Sequence, residues 1–99
     1  MGGMWTAAEL ADDDQLVRWI IERVAAAPDI YMRPLAGPPT AATLLEAELG
    51  IDSIGRISLF YEIADALGAG SNGVEERGVS RWRSLGDVIG FVRRTAGPR

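Results

Sequence analysis

Apolar residues recur along this chain at helical spacing. Leu16, Val17, Ile20, Ile21 and Val24 fall three or four apart, with Arg18, Glu22 and Arg23 between them. Asp12, Asp13 and Asp14 precede the stripe, where short carboxylates accept free backbone N–H groups and suit the positive end of a helix. Pro28 pushes its predecessor out of the helical region, so this first main helix should close near Ala27. A second stripe, Ile57, Phe60, Ile63, Ala64 and Leu67, predicts a second main helix starting at Asp52 or Ser53, with Ile54 and Tyr61 off to one side. It runs into Gly68-Ala69-Gly70-Ser71-Asn72-Gly73, a breaker run. Leu85, Val88, Ile89 and Val92 mark a last helix, with Ser84 and Asp87 as its cap.

The intervals between these helices are less regular. Pro28, Pro34, Gly37, Pro38 and Pro39 make residues 28–42 a long irregular loop, expected to be pinned to the core by Ile30, Tyr31, Met32 and Leu35. Thr43 with Glu46 reads as a capping box that opens a turn or two through Leu44, Leu45 and Leu49, closed by Gly50. Val74 to Val79 suit one short helix, and Trp82 a core plug. Thr6 with Glu9 is a further capping box, in a stretch too short to be counted as firmly ordered. No segment alternates with period two. The expected fold is all-α: three main helices plus a short one, with a long loop between the first two main helices. The expected division is a weakly ordered extension over 1–11, one domain over 12–95 and a tail over 96–99.

Composition narrows the chemistry. Ninety-nine residues, 47% of them hydrophobic and including three tryptophans (Trp5, Trp19, Trp82), suffice for one core. Trp19 and Trp82 read as core or groove cover. No run approaches the roughly 18 apolar residues of a membrane span, and no secretory leader is evident. Absence of cysteine and histidine excludes disulfides and the usual zinc sets, which fits the cytoplasm. A net charge of −4 makes nucleic acid a poor partner and favours basic protein partners. Arg81, Arg83, Arg93 and Arg94 read as a solvated basic patch.

Few residues offer chemistry. Glu46 with Glu48, and Glu75 with Glu76, are paired carboxylates that read as solvated faces, and the glycines of 68–73 lack the lysine and preceding strand of a phosphate loop. Ser53 stands out, a hydroxyl where a loop gives way to a helix. Nucleophilic catalysis would need a base beside it, and only Asp52 is adjacent. From the dipeptide alone, Ser53 is a plain N-cap. A phosphodiester carried there would also be stabilised by the exposed N–H groups and the dipole of the helix start.

The string Leu49-Gly50-Ile51-Asp52-Ser53-Ile54, followed by an amphipathic helix, resembles the phosphopantetheine attachment region of acyl carrier proteins. The order of helices over roughly residues 14 to 94 is similar to that family. Gly50 to Ile57 looks especially like carrier domains of polyketide and polyunsaturated fatty acid synthases, and Ser84 to Ile89 like the start of the family's last helix. The resemblance implies a non-catalytic, monomeric carrier with 4′-phosphopantetheine on Ser53, donated by a phosphopantetheinyl transferase with help from Asp52. Acyl groups would ride on the arm as thioesters between enzymes such as a ketosynthase or acyltransferase. Ile54, Ile57, Ser58, Tyr61 and Asp65 match partner-facing positions, although Ile57 fits the core equally well. Gly55, Arg56, Ser58 and Ala64 replace residues that are commonly acidic or polar in fatty-acid-synthase carriers. With Glu62 expected to face away, steering by basic partners should weaken, and Ile54 and Tyr61 should carry more of the contact. That favours polyketide or other specialised metabolism. A peptidyl or aminoacyl carrier, and an unmodified helical adaptor, are the alternatives.

Overall fold

The computed structural model describes residues 6–68 and 78–96. The chain is all-α: among the described residues α1 spans Ala7–Ala11, α2 Asp13–Ala26, α3 Ser53–Ala66 and α4 Leu85–Ala96, with a 3₁₀ turn at Val79–Arg81. Expectations for the first residues, for the breaker run beyond Gly68, for most of the short helix at 74–79 and for the last residues fall outside the described part.

Each helix starts where a side chain takes up a free N–H. Thr6 and Glu9 bond reciprocally across the start of α1, as their spacing predicts. Asp12 accepts from Gln15 N at 3.2 Å at the start of α2. For α4, the Asp87 carboxylate reaches back to Ser84 N at 3.1 Å and to Arg83 N at 2.8 Å. At the other end of α2, Ala27 is the cap, in extended conformation before Pro28.

Leu16, Val17, Ile20 and Val24 of α2, Leu59, Phe60, Ile63 and Ala64 of α3, and Leu85, Val88, Ile89 and Val92 of α4 converge on one core. Burying each larger aliphatic side chain contributes on the order of 1.5–3 kcal/mol. Phe60 packs on Phe91 and Trp82 with ring centroids 5.2 and 6.4 Å apart, so Trp82 does plug the core beside the 3₁₀ turn.

Several local expectations give way to tertiary contacts. The proposed N-terminal extension is helical from Ala7, because its capping box is joined by a buried Leu10 and by α4. Arg93 donates through Nε to Leu10 O at 2.6 Å and pairs with Asp13, so it is no part of a solvated patch. Thr43 and Glu46 form no capping box: Thr43 Oγ1 accepts from Thr40 N at 2.8 Å, and Glu48 rather than Glu46 bonds back, to Leu44 N at 3.0 Å. The reason is that residues 41–45 meet the start of α4 edge to edge. Leu45 N donates to Arg83 O, Leu85 N to Thr43 O and Gly86 N to Ala41 O, around an antiparallel bridge between Leu44 and Ser84. In the long loop Ile30 is buried and Met32 and Leu35 are half-buried, but Tyr31 is 71% exposed and pins nothing.

Candidate functional site

The approach to α3 is held from three sides. Ile51 N donates to Leu45 O at 2.8 Å, which ties it to the segment bridged to α4, and its side chain is buried. Gly50 turns the chain with φ +74°, a left-handed conformation that disfavours a side chain. Arg33 spans this turn: its N–H donates to Leu49 O at 2.7 Å and its guanidinium to Ala47 O at 2.9 Å.

Asp52 follows with extended backbone and is the N-cap of α3: its Oδ1 accepts from Gly55 N at 2.8 Å. Ser53 is therefore the first helical residue and not the cap, which corrects the reading drawn from the dipeptide. Its side chain is exposed, and its hydroxyl bonds to no described residue. Gly55 lies buried two residues along, where an added Cβ would stand 2.9 Å from Ile51 Cγ2. Absence of a side chain at Gly55 is thus what lets the helix start close onto Ile51.

Beyond Ser53, α3 presents one stripe to solvent. Ile54, Ile57, Ser58, Tyr61 and Asp65 lie at helical intervals opposite the buried Leu59 and Ile63. Ile54 is 72% exposed and Ile57 44%, so Ile57 belongs to the outer face. Leu59, which the sequence reading left out of the apolar face, is fully buried in its place; its fit to the core stripe at Phe60 and Ile63 was the available signal. Tyr61 is 42% exposed, and its ring meets that of Phe60 edge to face with centroids 5.2 Å apart.

Two depressions flank the stripe. One, of about 490 Å³, is lined by Ser58, Tyr61, Glu62 and Asp65 of α3 and by Asp29 from the loop. Glu62 thus shares a groove with Tyr61 and Asp65, contrary to the expectation that it faces away, and Asp29 is an acid the sequence reading missed. The other, of about 200 Å³, is lined by Asp29, Tyr31, Asp52 and Ile54. Exposed Tyr31 and Ile54 therefore line one depression beside the helix start. Arg56 turns away from both and approaches Glu46 at 3.8 Å. Trp19 is half-buried with the Arg23 guanidinium over its ring at 5.7 Å, away from the site.

No described helix is long and apolar enough to cross a membrane. Comparison with protein-family models, with curated proteins and with solved structures finds no match to the chain.

Proposed function

We propose that this chain is a non-catalytic acyl carrier and that Ser53 Oγ is the attachment point for 4′-phosphopantetheine. One observation carries the reading: Asp52 meets the capping need of α3, leaving the Ser53 hydroxyl exposed and without a hydrogen-bond partner among the described residues. A hydroxyl with no structural duty, on the first residue of a helix, suits an added phosphodiester. Free N–H groups and the helix dipole there favour its negative charge.

Attachment joins Ser53 Oγ to the pantetheine-side phosphorus of coenzyme A. The pyrophosphate P–O bond breaks, adenosine 3′,5′-bisphosphate leaves, and the hydroxyl proton passes to the transferase or solvent. Asp52 keeps the helix start in place through Oδ1, while its other oxygen stays available to the metal of the transferase. Once attached, the arm supplies the thiol that this sequence lacks and holds acyl groups as thioesters. The stripe of Ile54, Ile57, Ser58, Tyr61 and Asp65 is the docking face, its apolar members providing contact area. Glu62 and Asp29 beside it add negative charge for basic enzyme surfaces, including a phosphopantetheinyl transferase and a ketosynthase or acyltransferase. The arm raises the effective concentration of its cargo at each partner. The reading places a monomeric chain in the cytoplasm and in polyketide or other specialised metabolism.

Intact mass tests this directly. With coenzyme A and a promiscuous transferase the chain gains one phosphopantetheine, and Ser53→Ala does not. No gain by the wild type makes the chain an unmodified helical adaptor instead. Preference for an amino acid from an adenylating enzyme over acyl groups would make it an aminoacyl or peptidyl carrier.

A further inference from the structure

On the side of α3 away from the docking stripe lies a third cleft, of about 260 Å³, lined by Leu44 and Glu46 from the turn, Arg56 of α3, and Ser80, Trp82 and Arg83 after the 3₁₀ turn. Its composition differs from the other two. Asp29, Glu62 and Asp65 make the 490 Å³ depression acidic, whereas among the described residues two arginines face one glutamate here.

Arg56 is the unusual member. Its side chain is only 14% exposed, and its buried Nε finds no acceptor among the described residues. Buried polar atoms are nearly always hydrogen-bonded, so such an exception calls for a cause. Among the described residues its ion-pair partner is Glu46 at 3.8 Å, a carboxylate whose own side chain is 74% exposed. Solvent screens a pair of that kind, so it compensates little for the burial of the guanidinium. Arg23 Nε is likewise buried with no acceptor among the described residues, but the Arg23 cation rests on the Trp19 ring. Arg56 has no such substitute. It is a largely buried guanidinium whose Nε–H has no acceptor among the described residues, and the guanidinium fork matches the two oxygens of a carboxylate.

The rest of the cleft states what accompanies the carboxylate. Leu44 and Trp82 offer apolar wall for a short carbon stem, and the volume falls below the roughly 300 Å³ at which ordinary ligand pockets begin. Arg56 also stands one helical turn after Ser53, which puts the two Cβ atoms about 5–6 Å apart. We propose that this cleft is a carboxylate subsite in which Arg56, with Arg83 beside it, holds the free acid end of a short dicarboxylic acyl group carried from Ser53. The assignment rests on the carrier reading above and adds to it the class of cargo.

The test compares ¹⁵N-labelled carrier bearing a malonyl thioester with the same carrier bearing an acetyl thioester, reading the Arg56 Nε–H and Trp82 indole N–H resonances. Both resonances shift with malonyl and stay in place with acetyl; in Arg56→Gln the Trp82 indole resonance loses the malonyl response, and Arg83→Gln weakens it at both. Equal shifts for the two cargoes, or none, overturn the subsite while leaving the carrier intact. This comparison is made on the wild type, so it stands even if Arg56→Gln misfolds. Unmodified chain with free malonate is the control, and a matching shift at equal concentration overturns assignment to a tethered group. If mass shows that Ser53 accepts no arm, the carrier reading fails and the subsite with it.

Discussion

Asp52 Oδ1 accepts the Gly55 N–H at 2.8 Å, so the helix start is satisfied by the residue before Ser53. Removing the Ser53 hydroxyl should then cost nothing structural. Ser53→Ala is expected to stay within about 0.5 kcal/mol of wild type in urea unfolding. Asp52→Ala should lose about 0.5–2 kcal/mol, whereas Asp52→Asn keeps the cap. If Asp52 also serves the transferase, Asp52→Asn should fold as wild type yet acquire the arm more slowly. A Ser53→Ala variant as unstable as Asp52→Ala would return Ser53 to the role of cap.

Gly55 and Ile51 leave no room between them. A methyl at Gly55 would lie 2.9 Å from Ile51 Cγ2 and 3.4 Å from Asp52 Oδ1, and the Ile51 side chain is fully enclosed. Overpacking of this kind costs about 1–3 kcal/mol, against roughly 1 kcal/mol gained by alanine over glycine in a helix. Gly55→Ala should therefore be less stable than wild type, by about 1 kcal/mol from those two ranges. A rise in its urea midpoint would show that Ile51 yields freely.

Inner and outer faces of α3 should respond differently. Ile63 has no solvent exposure, and Ile63→Ala should cost about 2–5 kcal/mol through the cavity it leaves. Tyr61→Glu gives up an edge-to-face contact with Phe60, worth about 0.5–1.5 kcal/mol, and should retain the helical circular dichroism. Its effect belongs in transfer kinetics with a downstream enzyme, where slower transfer is expected. Unchanged kinetics would remove Tyr61 from the docking face.

Acid should loosen the N-terminal end first. The backbone N–H of Thr6 donates to the Glu9 carboxylate, and this bond, followed by that from the Gln15 side chain, holds the Glu9 pKa below its ordinary 4.5. A depressed carboxylate stabilises the fold above the unfolded-state value, and that contribution disappears as pH falls through the lower folded-state value. Amide exchange at Leu10 and Ala11, corrected for its intrinsic rate, should become less protected below pH 4.5, while Glu9→Gln shows no such step. An identical profile for the two proteins would mean that Arg93, bonded to Leu10 O and Asp13, holds α1 by itself.

Much of the architecture was legible without coordinates. Leu16 to Val24 and Leu85 to Val92 lie at helical spacing, Pro28 closes α2, and Gly50 turns the chain into α3. These signals work because they are local: periodicity, cap chemistry and backbone freedom act within one or two turns. The candidate site was legible to the same depth. Residues 49–54 announce a helix start carrying a hydroxyl, but leave Asp52 and Ser53 as rival caps.

What the sequence determined by itself, then, is the three main helices, where they start and stop to within a residue or two, and a serine at the start of the second. Tertiary structure decided the partners. It paired 41–45 with 83–86 in place of the Thr43–Glu46 box, sent Arg93 to Asp13, turned Tyr31 and Ile57 outward, and put Glu62 into the same groove as Asp29. It also drew Arg56, Trp82 and Arg83 around one cleft. Such choices join residues up to 83 positions apart. They are made when whole elements pack and each polar group takes the acceptor left within reach, an outcome no local window of sequence encodes.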